Sequence, residues 1–296
     1  MGKDLAQAFP IARSVFGEVD AAIGSELSKL CFEGPAEELT KTSNAQPALF
    51  AHGAAVWALT KEALQSHVRC AAGHSLGEFT AYHAADAIGL TGGAKLVRVR
   101  GELMQAAGTA RPGTMAAVIG QTTSPITELC ERASREAGVV VPANYNTDEQ
   151  TVVSGEVAGV DRLMELAREA GAKRVIKLPV SGAFHSPLME PATVGLSAAC
   201  ASSAFTDPAF PVYSNVTAAP CTEANSAKEL LVRQLTSPVR WSMQVRAIAE
   251  RYPNATYVEM GPGQVLRGMV TRLVPGARAV SCGTPAEVES LHELLA

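Results

Sequence analysis

The sequence predicts an α/β protein in which a hydrolase-like parallel-sheet large domain carries an inserted ferredoxin-like small domain. Apolar segments of helical period alternate with short β-branched runs, which is the pattern of an α/β fold. Between residues 111 and 182 the predicted elements follow a βαββαβ order, which is typical of a ferredoxin-like module. We therefore expect a discontinuous large domain at 1–110 and 183–296 around a small domain at 111–182.

The order of these elements can be read from apolar runs and from the proline and glycine residues between them. A helix is expected to open after Asn44, its cap, with Pro47 in its first turn, and to continue through Leu64. The predicted strands lie at 67–72, 114–120, 139–141, 150–155, 173–178 and 256–259. The remaining predicted helices lie at 78–87, 126–136, 157–170 and from 265 onward. Proline-containing segments mark both borders of the small domain.

Composition places the chain among ordinary globular proteins. Its 296 residues are enough for one large domain or for a large domain with a small insert. Hydrophobic residues make up 47% and charged residues 18%, which excludes a disordered chain. The formal net charge of -4 comes from interspersed acids and bases, so no basic stripe indicates a nucleic-acid partner.

The sequence gives no indication of a membrane span, a secretory signal or a metal site. Apolar runs are interrupted well short of the roughly 20 residues that cross a bilayer. The first residues include an early acid and lack an apolar core segment, unlike a signal peptide. The six cysteines have neither metal-site nor redox spacing. We expect no metal, no disulfide and no membrane association, and a cytoplasmic location, or a plastid stroma if a transit segment has been removed.

Residues 73–77, Gly-His-Ser-Leu-Gly, match the pattern G-x-S-x-G. In this pattern the glycines allow a sharp turn between a strand and a helix, so that the serine hydroxyl projects into a cleft. The helix start beneath Ser75 also favours negative charge. The five-residue pattern alone fits a plain glycine-rich turn equally well, and the predicted strand before it and helix after it favour a nucleophile.

A serine at its ordinary pKa needs a base within hydrogen-bond reach. His185 follows a predicted strand in an irregular glycine-containing loop, where catalytic groups are common. His74 is adjacent to the serine and is expected to point away from it. The other four histidines lie in helical or strand-edge contexts, so by position alone His185 is the best of several candidates.

Five segments in the same order along the chain resemble the malonyl-CoA:acyl carrier protein transacylases and the acyltransferase domains of polyketide synthases. They are 46–48 (Gln-Pro-Ala), 73–78 (Gly-His-Ser-Leu-Gly-Glu), 98–101 (Arg-Val-Arg-Gly), 183–186 (Ala-Phe-His-Ser) and 259–263 (Glu-Met-Gly-Pro-Gly). The resemblance spans almost the whole chain, and five ordered motifs make it far more specific than the serine motif alone.

The resemblance implies a ping-pong reaction in which Ser75 takes malonyl from malonyl-CoA and the phosphopantetheine thiol of acyl carrier protein then removes it. His185 would serve as base and then as acid, oriented by the main-chain carbonyl of Gln234. Arg100 would bind the malonyl carboxylate, because a guanidinium offers a two-pronged, permanently charged match. The resemblance implies no metal or bound cofactor, a monomer, and a product for either fatty-acid or polyketide synthesis.

Other positions bear on the acyl group. Leu76 and Phe184 resemble the malonyl-selective branch of the family, and Phe184 would crowd an α-methyl group. Leu76 would also supply a main-chain N–H to the oxyanion hole. Gln46, Asn144 and Asn146 match positions that line or buttress the substrate cleft, where a structural role is as good an interpretation as a direct one.

Members of this family begin with a β-strand and a Gly-Gln-Gly-Ser-Gln loop whose glutamine supplies a second oxyanion N–H. The printed sequence begins just past that loop, so we expect the first strand and this donor to be missing. Losing one such donor typically costs about 100- to 1000-fold in turnover. A truncated or misassigned start and a weakly active or inactive protein both fit, and we favour the first because every later site residue is present.

Two functions of other classes stay open at this point. A serine esterase of the α/β-hydrolase type shares G-x-S-x-G, but it has an acid between serine and histidine in chain order and its histidine near the C-terminus. His185 comes too early for that pattern. An inactive acyl carrier protein-binding module is the second alternative, and acylation of Ser75 would distinguish it from an enzyme.

Overall fold

A computed structural model describes residues 1–295. The helices are α1 (Lys3–Ala8), α2 (Pro10–Ile23), α3 (Leu27–Glu33), α4 (Ala36–Thr40), α5 (Thr42–Leu64), α6 (Gly77–Ala84), α7 (Leu90–Ala110), α8 (Ile126–Ala137), α9 (Val157–Glu169), α10 (Glu190–Ser202), α11 (Ala224–Arg233), α12 (Trp241–Arg251), α13 (Val265–Leu273) and α14 (Pro285–Leu295). The strands are β1 (Ala71–Ala72), β2 (Gly113–Ile119), β3 (Val140–Thr147), β4 (Gln150–Glu156), β5 (Arg174–Lys177), β6 (Val212–Tyr213), β7 (Pro220–Cys221), β8 (Thr256–Met260) and β9 (Arg278–Cys282). Short 3-10 turns lie at Pro187–Met189 and Gln234–Thr236.

The strands outside the predicted small domain form two groups in the described part of the chain. β1 is parallel to β6, which is antiparallel to β7, and β8 is parallel to β9. The strand expected before Ser75 is present but has two residues, fewer than the six predicted. Parallel pairing is therefore observed as predicted, in two groups instead of one continuous sheet.

The four strands β2 to β5 form a separate antiparallel sheet in the order β3-β4-β2-β5. Helices α8 and α9 bury one apolar stripe each against this sheet, including Leu129 and Ala133 of α8 and Leu163 and Leu166 of α9. This is the βαββαβ topology that the sequence predicts. The exact domain boundaries at 111 and 182 stay a prediction.

Helix α5 is the centre of the largest core. Its buried residues surround the helix and include many small ones, among them Ala48, Ala51 and Ala55 at 0% exposure. A helix that is apolar on all sides must be enclosed by other elements. α5 accordingly packs against α2, α6 and α7, and the nucleophile motif and Arg100 lie on two of these neighbours.

The N-terminal end of α5 differs from the prediction. The helix begins at Thr42, so Asn44 is not its cap and Pro47 lies in the second turn. Pro47 has no N–H to donate to the Ser43 carbonyl. Arg98 supplies the donor instead, because its Nη1 lies 2.7 Å from that oxygen and 2.9 Å from Asn44 Oδ1. Arg98 thus links α7 to α5.

The small sheet is tied to the rest of the molecule beside the nucleophile motif. The Tyr145 N–H donates to the Val239 carbonyl at 2.9 Å, and the Val239 N–H donates to the Ala143 carbonyl at 2.8 Å. These two bonds make a parallel bridge between β3 and the segment before α12. They fix the position of Asn144 and Asn146 near the end of β1.

None of the helices within residues 1–295 is long and apolar enough to cross a membrane. The six cysteines carry free thiols, and all but Cys70 are buried. In the same part of the chain, no group of three or more His, Cys, Asp or Glu side chains could hold a metal ion.

Candidate active site

Ser75 lies on a sharp turn between β1 and α6. Its φ of 50° is in the left-handed region, which residues other than glycine seldom adopt. The side chain of Asn215 holds this turn on both sides. Its Oδ1 accepts from the Ser75 N–H at 2.7 Å, and its Nδ2 donates to the Gly73 carbonyl at 2.7 Å. A strained residue that is held by its surroundings is common at active sites.

The two glycines of the motif are not equivalent. A Cβ added to Gly73 would lie 1.9 Å from the Gly77 carbonyl carbon, and backbone at that distance cannot move away without opening the turn. A Cβ added to Gly77 would meet nothing within 4 Å. The motif predicts the same role for both glycines in the turn, but only Gly73 is required by close packing.

His185 has the geometry of a base for Ser75. Its Nε2 lies 2.8 Å from Ser75 Oγ, and its Nδ1 lies 2.8 Å from the main-chain carbonyl of Gln234. A carbonyl oxygen can only accept, so Nδ1 carries the proton and Nε2 is free to accept from the serine hydroxyl. The main-chain partner that the family resemblance implied for His185 is therefore in place.

The surroundings of His185 keep its ring neutral. Its side chain is buried, with 3% of the residue exposed. Burial first, and then the positive charge of Arg100, lower the pKa of His185 to about 3. The resting imidazole is therefore unprotonated at neutral pH, which is the form that can take a proton.

Arg100 is the largest fully buried side chain, with 1% exposure. Its Nη1 donates to Gln46 Oε1 at 2.6 Å, and its Nη2 donates to Ser75 Oγ at 2.9 Å and to Gln234 Oε1 at 2.8 Å. The guanidinium carbon also lies 5.4 Å from the centre of the Phe79 ring. Burial lowers the pKa of Arg100 to about 10, so it remains a cation at neutral pH.

Two residues that sequence reasoning missed complete the site. Glu78 has no exposed surface, and its Oε2 accepts from Gln234 Nε2 at 2.6 Å and from the Asn215 N–H at 3.1 Å. Burial raises the pKa of Glu78 to about 7, against the opposing effect of these donors and of Arg100. The sequence held a signal for Glu78, since it shares a helical stripe with apolar Ala81 and Tyr82. It held none for Asn215.

The remaining predicted residues fall into two groups. Leu76 is the N-cap of α6, where N–H groups lack partners within the helix, and Phe184 packs half-buried beside His185 against the core. Asn144 and Asn146 instead contact His74: Asn146 Oδ1 lies 2.9 Å from its Nε2, and Asn144 Nδ2 lies 3.4 Å from the same atom. Both asparagines therefore buttress the nucleophile turn, and His74 points away from the serine as expected.

This arrangement fits acyl transfer through Ser75. The serine has a neutral base at one side and a cation at the other, and it lies just before the N-terminus of α6. The cation is buried among neutral oxygen acceptors, so an anionic group on the acyl chain would find a partner there.

Comparisons with known proteins find relatives over nearly the whole chain. A family model described as acyl transferase domain matches residues 1–284. Malonyl CoA-acyl carrier protein transacylase of Bacillus subtilis (strain 168) is 41% identical over 290 residues, which are 98% of this chain and 90% of that protein. The protein of the same name from Escherichia coli (strain K12) is 38% identical over 291 residues, or 98% of this chain and 94% of that one.

Solved structures show the same similarity. Acyl-carrier-protein-S-malonyltransferase from Bartonella henselae has a TM-score of 0.94 and 41% identity, and the match covers 100% of this chain and 94% of that one. A type II PKS acyl-carrier protein in complex with its malonyl-transacylase gives a match with a TM-score of 0.94, 36% identity, and coverage of 99% and 94%. These similarities confirm the predicted α/β fold class.

Substitutions at the two motif glycines should have different effects. Gly73→Ala should lower the free energy of unfolding by at least about 2 kcal/mol, because the new Cβ collides with backbone. Gly77→Ala should change it by no more than about 1 kcal/mol, because a helical position with open space tolerates alanine. Urea unfolding followed by circular dichroism measures both. Equal losses in the two variants would contradict this account of the turn.

Proposed function

The chain belongs to the acyl transferase domain family, and from this premise we propose that it transfers malonyl from malonyl-CoA to the phosphopantetheine thiol of acyl carrier protein. The five segments that resemble this family are distributed over the length that the family model matches. The proposed intermediate is a malonyl ester on Ser75.

One observation carries the choice of a malonyl group: the buried guanidinium of Arg100 lies within hydrogen-bond distance of Ser75 Oγ. Its three hydrogen bonds go to neutral oxygens. A cation that is out of water gains most from an ionised partner, and a carboxylate matches the guanidinium fork. Malonyl places a carboxylate two carbons from the reacting carbonyl, so Arg100 can hold it while Ser75 attacks.

In the first half-reaction, Ser75 Oγ forms a bond to the thioester carbonyl carbon as its proton passes to His185 Nε2. The main-chain N–H of Leu76 would donate to the oxygen that becomes negative. The carbon–sulfur bond then breaks, and His185 returns the proton to the thiolate of coenzyme A. The Gln234 carbonyl accepts from Nδ1–H throughout, so the imidazolium that forms between these steps keeps its orientation.

The second half-reaction reverses these roles. His185 takes the proton of the carrier-protein thiol, and the sulfur forms a bond to the malonyl-serine carbonyl carbon. The bond from that carbon to Ser75 Oγ then breaks, and His185 returns the proton to Ser75 Oγ. One solved relative is a complex of such a carrier protein with its malonyl-transacylase, which supports this choice of acceptor. No cofactor bound by this chain is needed, because phosphopantetheine belongs to the partner.

The esterase alternative fits the site less well. The Nδ1 partner of His185 is a main-chain carbonyl, whereas α/β-hydrolases place a carboxylate there. An uncharged ester also has no anionic group to pair with the buried arginine beside the nucleophile. Water could still remove the acyl group from Ser75, so the stability of the adduct distinguishes hydrolysis from transfer.

Brief incubation with malonyl-CoA should add one malonyl mass to the intact protein. The adduct should be absent in Ser75→Ala and in His185→Ala, because the first lacks the nucleophile and the second lacks its base. Mass spectrometry measures the adduct, and holo acyl carrier protein should then remove it much faster than water does. A wild-type protein that forms no adduct would contradict the proposed function, and loss of the adduct to water alone would favour the esterase.

Arg100 should set the preference for malonyl over acetyl. Arg100→Ala should slow malonyl adduct formation by at least about 100-fold, because the substrate carboxylate would be buried without its partner. Acetyl transfer, which involves no carboxylate, should change much less. Arg100→Lys is the matched control and should fall between, since lysine keeps the charge and loses the fork. Parallel losses with both acyl groups would show that Arg100 does not recognise the carboxylate.

A further inference from the structure

Glu78 is a fully buried ionisable group that the proposed reaction does not use. It lies on the first turn of α6, three residues after the nucleophile. A buried carboxylate is costly unless it is hydrogen-bonded, and an unpaired Oε1 adds to this cost. A buried acid in this position, beside the nucleophile, needs a structural or catalytic explanation.

The contacts of Glu78 lead to Gln234. The Gln234 Nε2 donates to Glu78 Oε2 at 2.6 Å and to the Ser75 carbonyl at 3.0 Å. The other end of the same amide, Oε1, accepts from Arg100 Nη2 at 2.8 Å. Gln234 is itself fully buried, and its main-chain carbonyl is the acceptor for His185 Nδ1.

From these contacts we infer that Glu78 is a positioning residue that acts through Gln234 and fixes which way the Gln234 amide points. The inference rests on the proposed reaction at Ser75. With Nε2 toward Glu78, each donor of the amide faces an acceptor, and Oε1 faces the guanidinium. A reversed amide would place Oε1 against a carboxylate and a carbonyl, and its NH2 group against a cation.

The same amide relates Glu78 to the charge of Arg100. In its ionised form Glu78 polarises Gln234 through Nε2, and Gln234 Oε1 then presents a stronger acceptor to the guanidinium. Arg100 is thereby held against Ser75 Oγ before substrate arrives. Glu78 is hydrogen-bonded to Gln234 and Asn215, and not to Ser75 Oγ or to the guanidinium. Its charge also acts on Arg100 directly, so a Glu78 variant in a Gln234→Ala background measures the part that passes through the amide.

Three variants separate positioning from fold stability. Glu78→Leu keeps the approximate volume and removes the acceptor, Glu78→Gln keeps an acceptor for Gln234 Nε2, and Thr60→Val is a control for perturbing a buried polar residue of α5 away from the site. Glu78→Leu leaves the buried Gln234 Nε2 and Asn215 N–H donors with one acceptor fewer, so we expect it to melt at a lower temperature than the wild type. At a temperature where circular dichroism shows the variant to be folded, malonyl adduct formation should slow about 100-fold. Glu78→Gln should recover most of this loss, and Thr60→Val should show none.

Coupling to Gln234 is the decisive measurement. Gln234→Ala keeps the main-chain carbonyl for His185 and removes the amide. If Glu78 acts through that amide, Glu78→Leu should cost less than about threefold in the Gln234→Ala background, against about 100-fold in the wild type. The same 100-fold cost in both backgrounds, or no recovery in Glu78→Gln, would overturn the inference.

A substrate-independent probe keeps this test separate from the proposed function. The rate at which Ser75 reacts with a fluorophosphonate depends on the Ser75–His185 pair and not on malonyl recognition. The same pattern among the variants with this probe, in a protein that malonyl-CoA fails to acylate, would support the role of Glu78 and reject the substrate. Malonylation without any dependence on Glu78 would do the reverse.

Discussion

The site depends on Gln234, a buried residue whose main-chain carbonyl and side-chain amide bind different groups. The Gln234 carbonyl fixes the tautomer of His185, and its amide connects Arg100, the Ser75 carbonyl and Glu78. Most of these groups are buried, so an unsatisfied donor or acceptor is costly, and a reversed Gln234 amide would set its oxygen against Glu78 and the Ser75 carbonyl. Ser75, His185 and Arg100 are therefore positioned as a unit.

The fold makes this arrangement possible by enclosing it. Helix α5 is buried on all sides and packs against α6 and α7, so the serine turn before α6 and Arg100 of α7 lie within hydrogen-bond distance. The segment before α12 pairs with β3, which brings Asn146 against His74. Burial of the site then has two effects: it keeps His185 neutral, and it strengthens the attraction of Arg100 for an anion.

Much of this could be predicted from sequence, and the remainder has physical reasons for being hidden. Strand and helix periodicity predicted the βαββαβ order, and the motif context placed Ser75 between strand and helix. His185, Arg100 and Gln234 needed the family resemblance, because contacts between residues 25 to 159 positions apart leave no local pattern. The predicted start of α5 was wrong, because Arg98 replaces the donor that proline lacks and only the tertiary structure shows this contact. Glu78 has the position of an ordinary acid in the first turn of a helix, and its buried contacts were not predicted.

The protonation state of His185 is the most direct test of this account. Nitrogen NMR of the labelled protein, with His185→Gln to assign its signals, reports which ring nitrogen carries a proton. We predict a neutral ring between about pH 5 and 8, with the proton on Nδ1 and Nε2 unprotonated, because burial lowers the pKa to about 3 and Gln234 supplies only an acceptor. Protonation with a midpoint near the ordinary value of 6.5, or a proton on Nε2, would contradict it.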